Sequence, residues 1–321
     1  MKKLRRSHYD WNVEKQTHEE RVEVKKINSF FVLLSMTLYL FSNGCSHNVG
    51  ITNQTTRANK VTSDDMVNKG IAHTIQGDYQ QAISDFTKIL ESDPTNSSCY
   101  YFRALIRNRI GEYDRALTDF NRALELDPLN DDAYAERAII RVNTGEYEQA
   151  SADFEKALVL NPLNGETYNS RGILLALTGK YDLAIADFNK AIDLNPEHAT
   201  AYANRANVWL HAADYNRAMK DYNTSLSLNP INSAAYNGRG VIWVMQSRHK
   251  RAIADFSRAI QIDPSNAQAY FNRANAWMKL GSLKTALADI EKALILAPDR
   301  KDYNSLAVHL KSLVSGASNA F

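Results

Sequence analysis

The chain has 321 residues, 44% hydrophobic and 23% charged, an ordinary globular balance that predicts a folded body. Its formal net charge of +2 is unevenly placed: residues 1–26 hold eight Lys or Arg against five Asp or Glu, and the remainder holds 30 against 31. A near-neutral body gives no electrostatic case for nucleic acid. The two cysteines, Cys45 and Cys99, exclude a disulfide framework, and neither has metal-ligand spacing around it.

Residues 1–44 read as a signal or anchor segment. Lys25 and Lys26 stand just before residues 30–41, a run that is nearly all apolar. As a helix this run reaches roughly 18 Å, short of the roughly 30 Å hydrocarbon core. Basic residues, a short apolar run and then small residues describe a secretory signal. The run leads to Ser42, Asn43, Gly44 and Cys45. Gly-Cys after an apolar run resembles the lipobox of bacterial lipoproteins, which implies lipidation of Cys45 after cleavage before it. The match departs at Ser42, where that family usually has Leu, and in the length of the basic region. An uncleaved anchor over 27–44 and a cytoplasmic chain with a stray apolar run stand beside it. The first two readings make the protein membrane-anchored with an extracytoplasmic body, since basic residues stay inside. Residues 45–62, polar, unpatterned and rich in Asn and Thr, read as a tether.

From residue 63 the chain is periodic. Its seven prolines, Pro94, Pro128, Pro162, Pro196, Pro230, Pro264 and Pro298, are all 34 apart. They divide residues 63–300 into repeats 63–96, 97–130, 131–164, 165–198, 199–232, 233–266 and 267–300. Each repeat has the pattern of two helices. The first carries Tyr at its fourth position in six repeats (Tyr100, Tyr134, Tyr168, Tyr202, Tyr236, Tyr270), and Gly or Ala four residues later, a knob and a hollow on one face. Gly77, Gly111, Gly145, Gly179 and Gly281 mark the turn, where a helix C-cap needs positive φ. The second helix pairs Ala with an aromatic four residues on, as in Ala150 and Phe154, so that the helices approach closely. It ends before proline, which disfavours α conformation in the preceding residue. Asn two places later in five repeats is placed to N-cap the next helix. Residues 301–321 form a terminal helix and tail: Tyr303, Leu306, Ala307, Leu310 and Leu313 have helical spacing, fit to cover the last repeat.

Period, prolines, small residues and aromatics together resemble the tetratricopeptide repeat. That resemblance implies an all-α fold, a right-handed superhelical solenoid of seven 34-residue helix-turn-helix repeats with a C-terminal capping helix and a concave groove. Departures are local. Repeat 6 has Ser247 and His249 for the turn Gly and following Tyr, repeat 7 has Ala297 before proline and Leu283 for Tyr, and position 7 is Arg or Lys rather than apolar.

The repeats, cap and leader occupy the whole sequence, so a non-catalytic protein is expected, without metal, cofactor or small-molecule substrate. Phosphate-binding, zinc-hydrolase and nucleophile-elbow motifs are absent, and His73, His198, His211 and His249 share no common geometry. Arg or Lys at position 7 recurs with Asp at position 23 in every repeat, from Lys69 and Asp85 to Arg273 and Asp289. This reads as a structural ion pair between helices, because both series persist while the groove positions vary. Trp209, Trp243 and Trp277 share position 11 and read as inter-helix packing. The basic turn Arg248, His249, Lys250 and Arg251 reads as a solvated turn. The resemblance places the groove on positions 2, 5, 6, 9, 12 and 13 of the first helix. Repeats 2–4 then offer Tyr101, Phe102, Leu105, Ile139, Val142, Ile173 and Leu177. Repeats 5–7 offer Asn204, Asn207, His211, Asn237, Asn272, Asn275 and Lys279. Amides both donate and accept, so Asn204 with Asn207, and Asn272 with Asn275, would clamp a peptide backbone while the apolar half takes side chains. The expected function is a membrane-tethered scaffold binding an extended peptide or partner protein. A cytoplasmic chaperone or assembly factor and a regulatory subunit of an enzyme complex are the alternatives.

Overall fold

The computed structural model describes residues 63–318; the signal or anchor segment, the tether and Cys45 lie outside them. The described residues fold as an all-α solenoid of consecutive helix pairs, without a strand. They divide into two compact units, parted between Pro162 and Leu163. The first unit holds α1 (Ser63–Gln76), α2 (Tyr79–Ser92), α3 (Ser97–Ile110), α4 (Tyr113–Leu126), α5 (Asp131–Thr144) and α6 (Tyr147–Leu160). The second holds α7 (Gly165–Leu177), α8 (Tyr181–Leu194), α9 (Ala199–His211), α10 (Tyr215–Leu228), α11 (Ser233–Met245), α12 (His249–Ile262), α13 (Ala267–Lys279), α14 (Leu283–Leu296) and α15 (Lys301–Ser318).

Local chemistry sets these boundaries. Asn96, Asn130, Asn164, Asn232 and Asn266 each accept, through the side chain, the backbone N–H three residues on. That bond satisfies one of the four orphan donors at a helix start. The five turn glycines have φ of 76–86°. In repeats 5 and 6 the same left-handed position is filled by Ala213 (φ 58°) and Ser247 (φ 59°), which carry the steric cost that glycine avoids. Asp or Asn before proline does more than end a helix. Asp127, Asn195, Asn229 and Asp263 accept the N–H two residues on, building the turn into the next repeat. Ala297 lacks that acceptor.

The core is the predicted one. The small residue of each second helix and the aromatic four residues on (Ile290 in repeat 7), Ala150 and Phe154 for example, are at most 1% exposed. Where position 8 is glycine, the aromatic ring fills the space: a Cβ on Gly172 would lie 2.7 Å from Phe188. Within each unit the first helix also packs on the first helix of the next repeat, α3 on α5 in one, and α7 on α9, α9 on α11 and α11 on α13 in the other. First helices therefore line one side. At the end, α15 buries Tyr303, Ala307 and Leu310, with Tyr303 stacked 4.7 Å from Phe271 and bonded to Gln268. Leu313, expected on the buried face, is 37% exposed.

Candidate functional site

The most regular charged feature is internal. Arg103, Arg137, Arg171, Arg205, Arg239 and Arg273 each hold the Asp sixteen residues on through two parallel N–H···O bonds of 2.6–2.9 Å. Each guanidinium also lies 5.3–5.6 Å from the position-4 Tyr ring of its own repeat. A third bond reaches back into the preceding repeat, from Arg137 to Asn121, Arg205 to Asn189 and Arg239 to Asn223. Arginine at position 7, where an apolar residue is usual in the repeat, thus joins the two helices of one repeat to its neighbour. The carboxylates are buried, so the fork-to-carboxylate geometry offsets their desolvation. Repeat 1 corrects the expected series. Lys69 is exposed, and Asp85 is held instead by His73 at 2.6 Å and Gln81 at 3.0 Å.

Position 11 is the second support of the same carboxylate. Arg107 reaches Asp119 and Arg141 reaches Asp153, both at 2.6 Å, and the Trp243 indole N–H donates to Asp255 at 3.1 Å. Position 11, expected to serve inter-helix packing, is thus a hydrogen-bonding position too, and the donors recurring there, His73, Arg107, Arg141 and Trp243, are the signal for it in the sequence. Trp209, Trp243 and Trp277 are half-buried between helices.

In the first unit, the expected apolar lining of repeat 2 is corrected. Phe102 is 1%, Leu105 2% and Tyr101 8% exposed. Tyr101 packs 5.5 Å from Phe102 and 6.0 Å from Phe120, and all three candidates belong to the core cluster around Phe86. They are packing residues and present almost no surface to a partner. Ile139 and Val142 in repeat 3 stay half-exposed, beside Glu136 at position 6. Burial, and the charge of Asp132 one turn earlier, push the Glu136 carboxyl up from 4.5 to about 7.

In the second unit the predicted asparagines are joined across repeats, not only along one helix. Asn204 Nδ2 donates to Asn169 Oδ1, and Asn272 Nδ2 to Asn237 Oδ1, both at 3.0 Å, linking position 6 of one repeat to position 5 of the repeat before. Asn272 is buried and also accepts from Gln268. Asn207 accepts from the Tyr222 hydroxyl, and Asn275 donates to the Phe271 carbonyl of its own helix. Tyr222 replaces the usual Phe, and its hydroxyl reaches beneath Gly238, where a Cβ would lie 2.3 Å from it. Gly238 is therefore a space requirement of Tyr222. Ile173, Leu177, Leu210, Val244 and Met278 run beside this amide row, all half-buried, with His211 and Lys279 exposed at the turn end. The division into an apolar half and a polar half thus becomes two parallel rows on the same helices of one unit. Among the described residues no cluster of His, Cys, Asp or Glu could hold a metal ion, and no helix is long and apolar enough to cross a membrane.

Helix pairs of constant length, stacked through buried ion-pair hubs and presenting one continuous helical face in each unit, define a repeat-solenoid protein. Family models of the tetratricopeptide repeat match residues 68–131, 131–162, 165–198 and 267–300, and a further TPR-repeat model matches 244–281. The chain belongs to the tetratricopeptide-repeat proteins. No curated protein matches it. Among solved structures, a tetratricopeptide repeat protein from Parabacteroides merdae is similar at 22% identity and TM-score 0.63, over 78% of this chain and 98% of that one. The Cut9–Hcn1 hetero-tetramer of the APC/C is similar at 15% and 0.64, over 79% of this chain and 57% of that one. PilF of Pseudomonas aeruginosa is similar at 21% and 0.59, over 66% and 97%. At these identities the likeness is one of fold.

Proposed function

We propose that the chain is a protein-binding scaffold whose second unit takes an extended segment of a partner along the first helices of repeats 4–7. The observation that carries this is the pair of rows: amides at positions 5, 6 and 9, with half-buried apolar side chains at positions 9, 12 and 13 beside them. Asn204, half-buried, spends one amide hydrogen on the buried Asn169, which leaves its carbonyl oxygen and second amide hydrogen for a peptide backbone. The apolar row takes alternate side chains of an extended strand. Membership of a repeat family, and the presence of a similar fold in the hetero-tetrameric Cut9–Hcn1 assembly, agree with a scaffold role.

A photo-crosslinking residue at Leu210 should capture the partner in the cell, and one at Lys190, exposed on α8, should not. Equal adducts from both positions would sink the reading. Replacing Asn204 and Asn275 by Ala should weaken binding about tenfold, at roughly 0.5–1.5 kcal/mol for each lost uncharged hydrogen bond, with helicity unchanged. We further propose that the body is tethered to a membrane through Cys45. Mass spectrometry of the mature protein should find an acyl group on Cys45, absent in Cys45→Ser. An intact Met1 on unlipidated, membrane-bound protein would instead mean an uncleaved anchor.

A further inference from the structure

Cations crowd the start of α12. Arg248 occupies its N-cap, and His249, Lys250 and Arg251 fill its first turn, with no acidic residue there and no side chain capping the helix. This is the wrong sign for a helix N-terminus, whose dipole and open N–H groups favour negative charge. Five of the six other second helices carry an acid at this end; the sixth, α14, has Lys284 as its one cation there. Asp78 and Asp214 cap α2 and α10, and Asp114, Glu148 and Asp182 stand in the first turns of α4, α6 and α8. Arg217 at the corresponding turn of repeat 5 is paired with Asp214 at 3.2 Å. Among the described residues no carboxylate forms an ion pair with Arg248, Lys250 or Arg251, and all three are exposed. Arg248 and Arg251 instead lie 5.3 and 5.1 Å from the Trp243 ring, whose indole N–H is tied to the buried Asp255. The indole is thereby held still, and the two guanidiniums gather over it.

A cleft adjoins this turn and shares Trp243 and Arg248 with it. The cleft, of about 330 Å³, opens between repeats 5 and 6, lined by Asn216, Met219, Trp243, Gln246 and Arg248. It combines an apolar floor, Met219 and Trp243, with neutral donors from Asn216 and Gln246 and one unpaired cation. We propose that this turn and cleft are a docking site for an acidic segment of a partner protein, separate from the face formed by the first helices. A carboxylate of that segment sits between the Arg248 and Arg251 guanidiniums and the open N–H groups of α12, and an adjacent apolar side chain enters the cleft over Met219. One anion then relieves two repulsions, among the cations and between them and the helix dipole, and supplies an acceptor to the uncapped N–H groups. The cleft's apolar floor and neutral donors favour a protein segment over a bare lipid headgroup.

The test measures fluorescence anisotropy of the full-length chain with two labelled peptides, one alternating Glu and Leu and one with Gln for every Glu. The Glu peptide should bind, the Gln peptide should not, and binding should weaken as salt rises. Arg248→Ala with Arg251→Ala should weaken it by about tenfold or more, equivalent to about 1.4 kcal/mol or more. Lys250→Glu, an exposed change, should act in the same direction and serves if the double variant loses helicity. Asn204→Ala with Asn275→Ala should leave this binding unchanged. Equal binding of both peptides, or an undiminished affinity in the turn variants, overturns the proposal. So does the outcome in which the chain binds phosphatidylserine-containing vesicles through these cations and does not bind the Glu peptide.

Discussion

Single residues in this array depart from the repeat for different physical reasons, and measurement can separate them. Ala213 and Ser247 hold the left-handed turn conformation that five glycines hold elsewhere. A Cβ in that conformation costs roughly 1–2 kcal/mol, partly offset by glycine's larger unfolded-state entropy. Ala213→Gly and Ser247→Gly should each stabilise the protein by about 0.5–1 kcal/mol in chemical denaturation, and destabilisation by either would mean that the side chain makes a contact worth more than the strain. Glu136 differs in kind. Its carboxyl is raised from 4.5 to about 7 by burial and by Asp132, so the folded chain keeps a proton that the unfolded chain has lost between these values. The associated stability is present below pH 4.5 and is lost as pH rises through 7. Glu136→Gln should therefore gain on the parent protein across that window and match it at lower pH. A stability difference that does not change with pH would show that Glu136 ionises normally.

At the scale of helices, the Arg–Asp ladder predicts unequal costs for chemically identical substitutions. Asp221 has Arg205 as its sole ion-pair partner among the described residues, whereas Asp119 is held by Arg103 and by Arg107. Arg205→Ala leaves a buried carboxylate uncompensated and should cost about 3–5 kcal/mol. Arg103→Ala leaves Arg107 in place 2.6 Å from Asp119 and should cost clearly less. Urea denaturation of both variants decides it, and equal losses would mean that the ladder acts through packing of the aliphatic stems rather than through charge. His73 at Asp85 makes repeat 1 the natural comparison, since its carboxylate is held by an imidazole from position 11 instead of by a guanidinium from position 7.

For the whole molecule, nearest-neighbour stacking means that stability is distributed along the chain and not concentrated in one core. The α15 helix covers the apolar end of the second unit through Tyr303, Ala307 and Leu310. Deleting residues 301–318 uncovers Phe271, so hydrogen exchange should accelerate first in α13 and α14 while α7 to α10 stay protected. Uniform loss of protection through the second unit would reject independent repeat stacking. Cys99 supplies a probe of the other unit. It is a free thiol with no exposed surface, and burial, with the nearby Asp93 charge, pushes it up to about 12. It should stay unreactive to thiol reagents until α3 opens.

What the sequence determined by itself is the part written in local spacing. Seven prolines at an interval of 34, glycine at the turns, asparagine at the caps and Ala with Phe four residues apart all act within one helix or one turn, so they are legible without coordinates. The Arg–Asp pairing was readable too, because its two members recur together at a constant separation. Tertiary packing alone decided which groove positions are open. Phe102 and Leu105 occupy groove positions 6 and 9, yet the aromatic cluster of the first unit encloses them. The bonds Asn204–Asn169 and Asn272–Asn237 span 35 residues, and Tyr222, Asn207 and Gly238 form one packing unit from three repeat positions. The Trp243 cleft likewise draws its walls from two repeats. A periodic sequence specifies each repeat and its register. It does not specify how side chains of unlike neighbours meet, because that depends on the distance and angle between helices that only the folded stack sets.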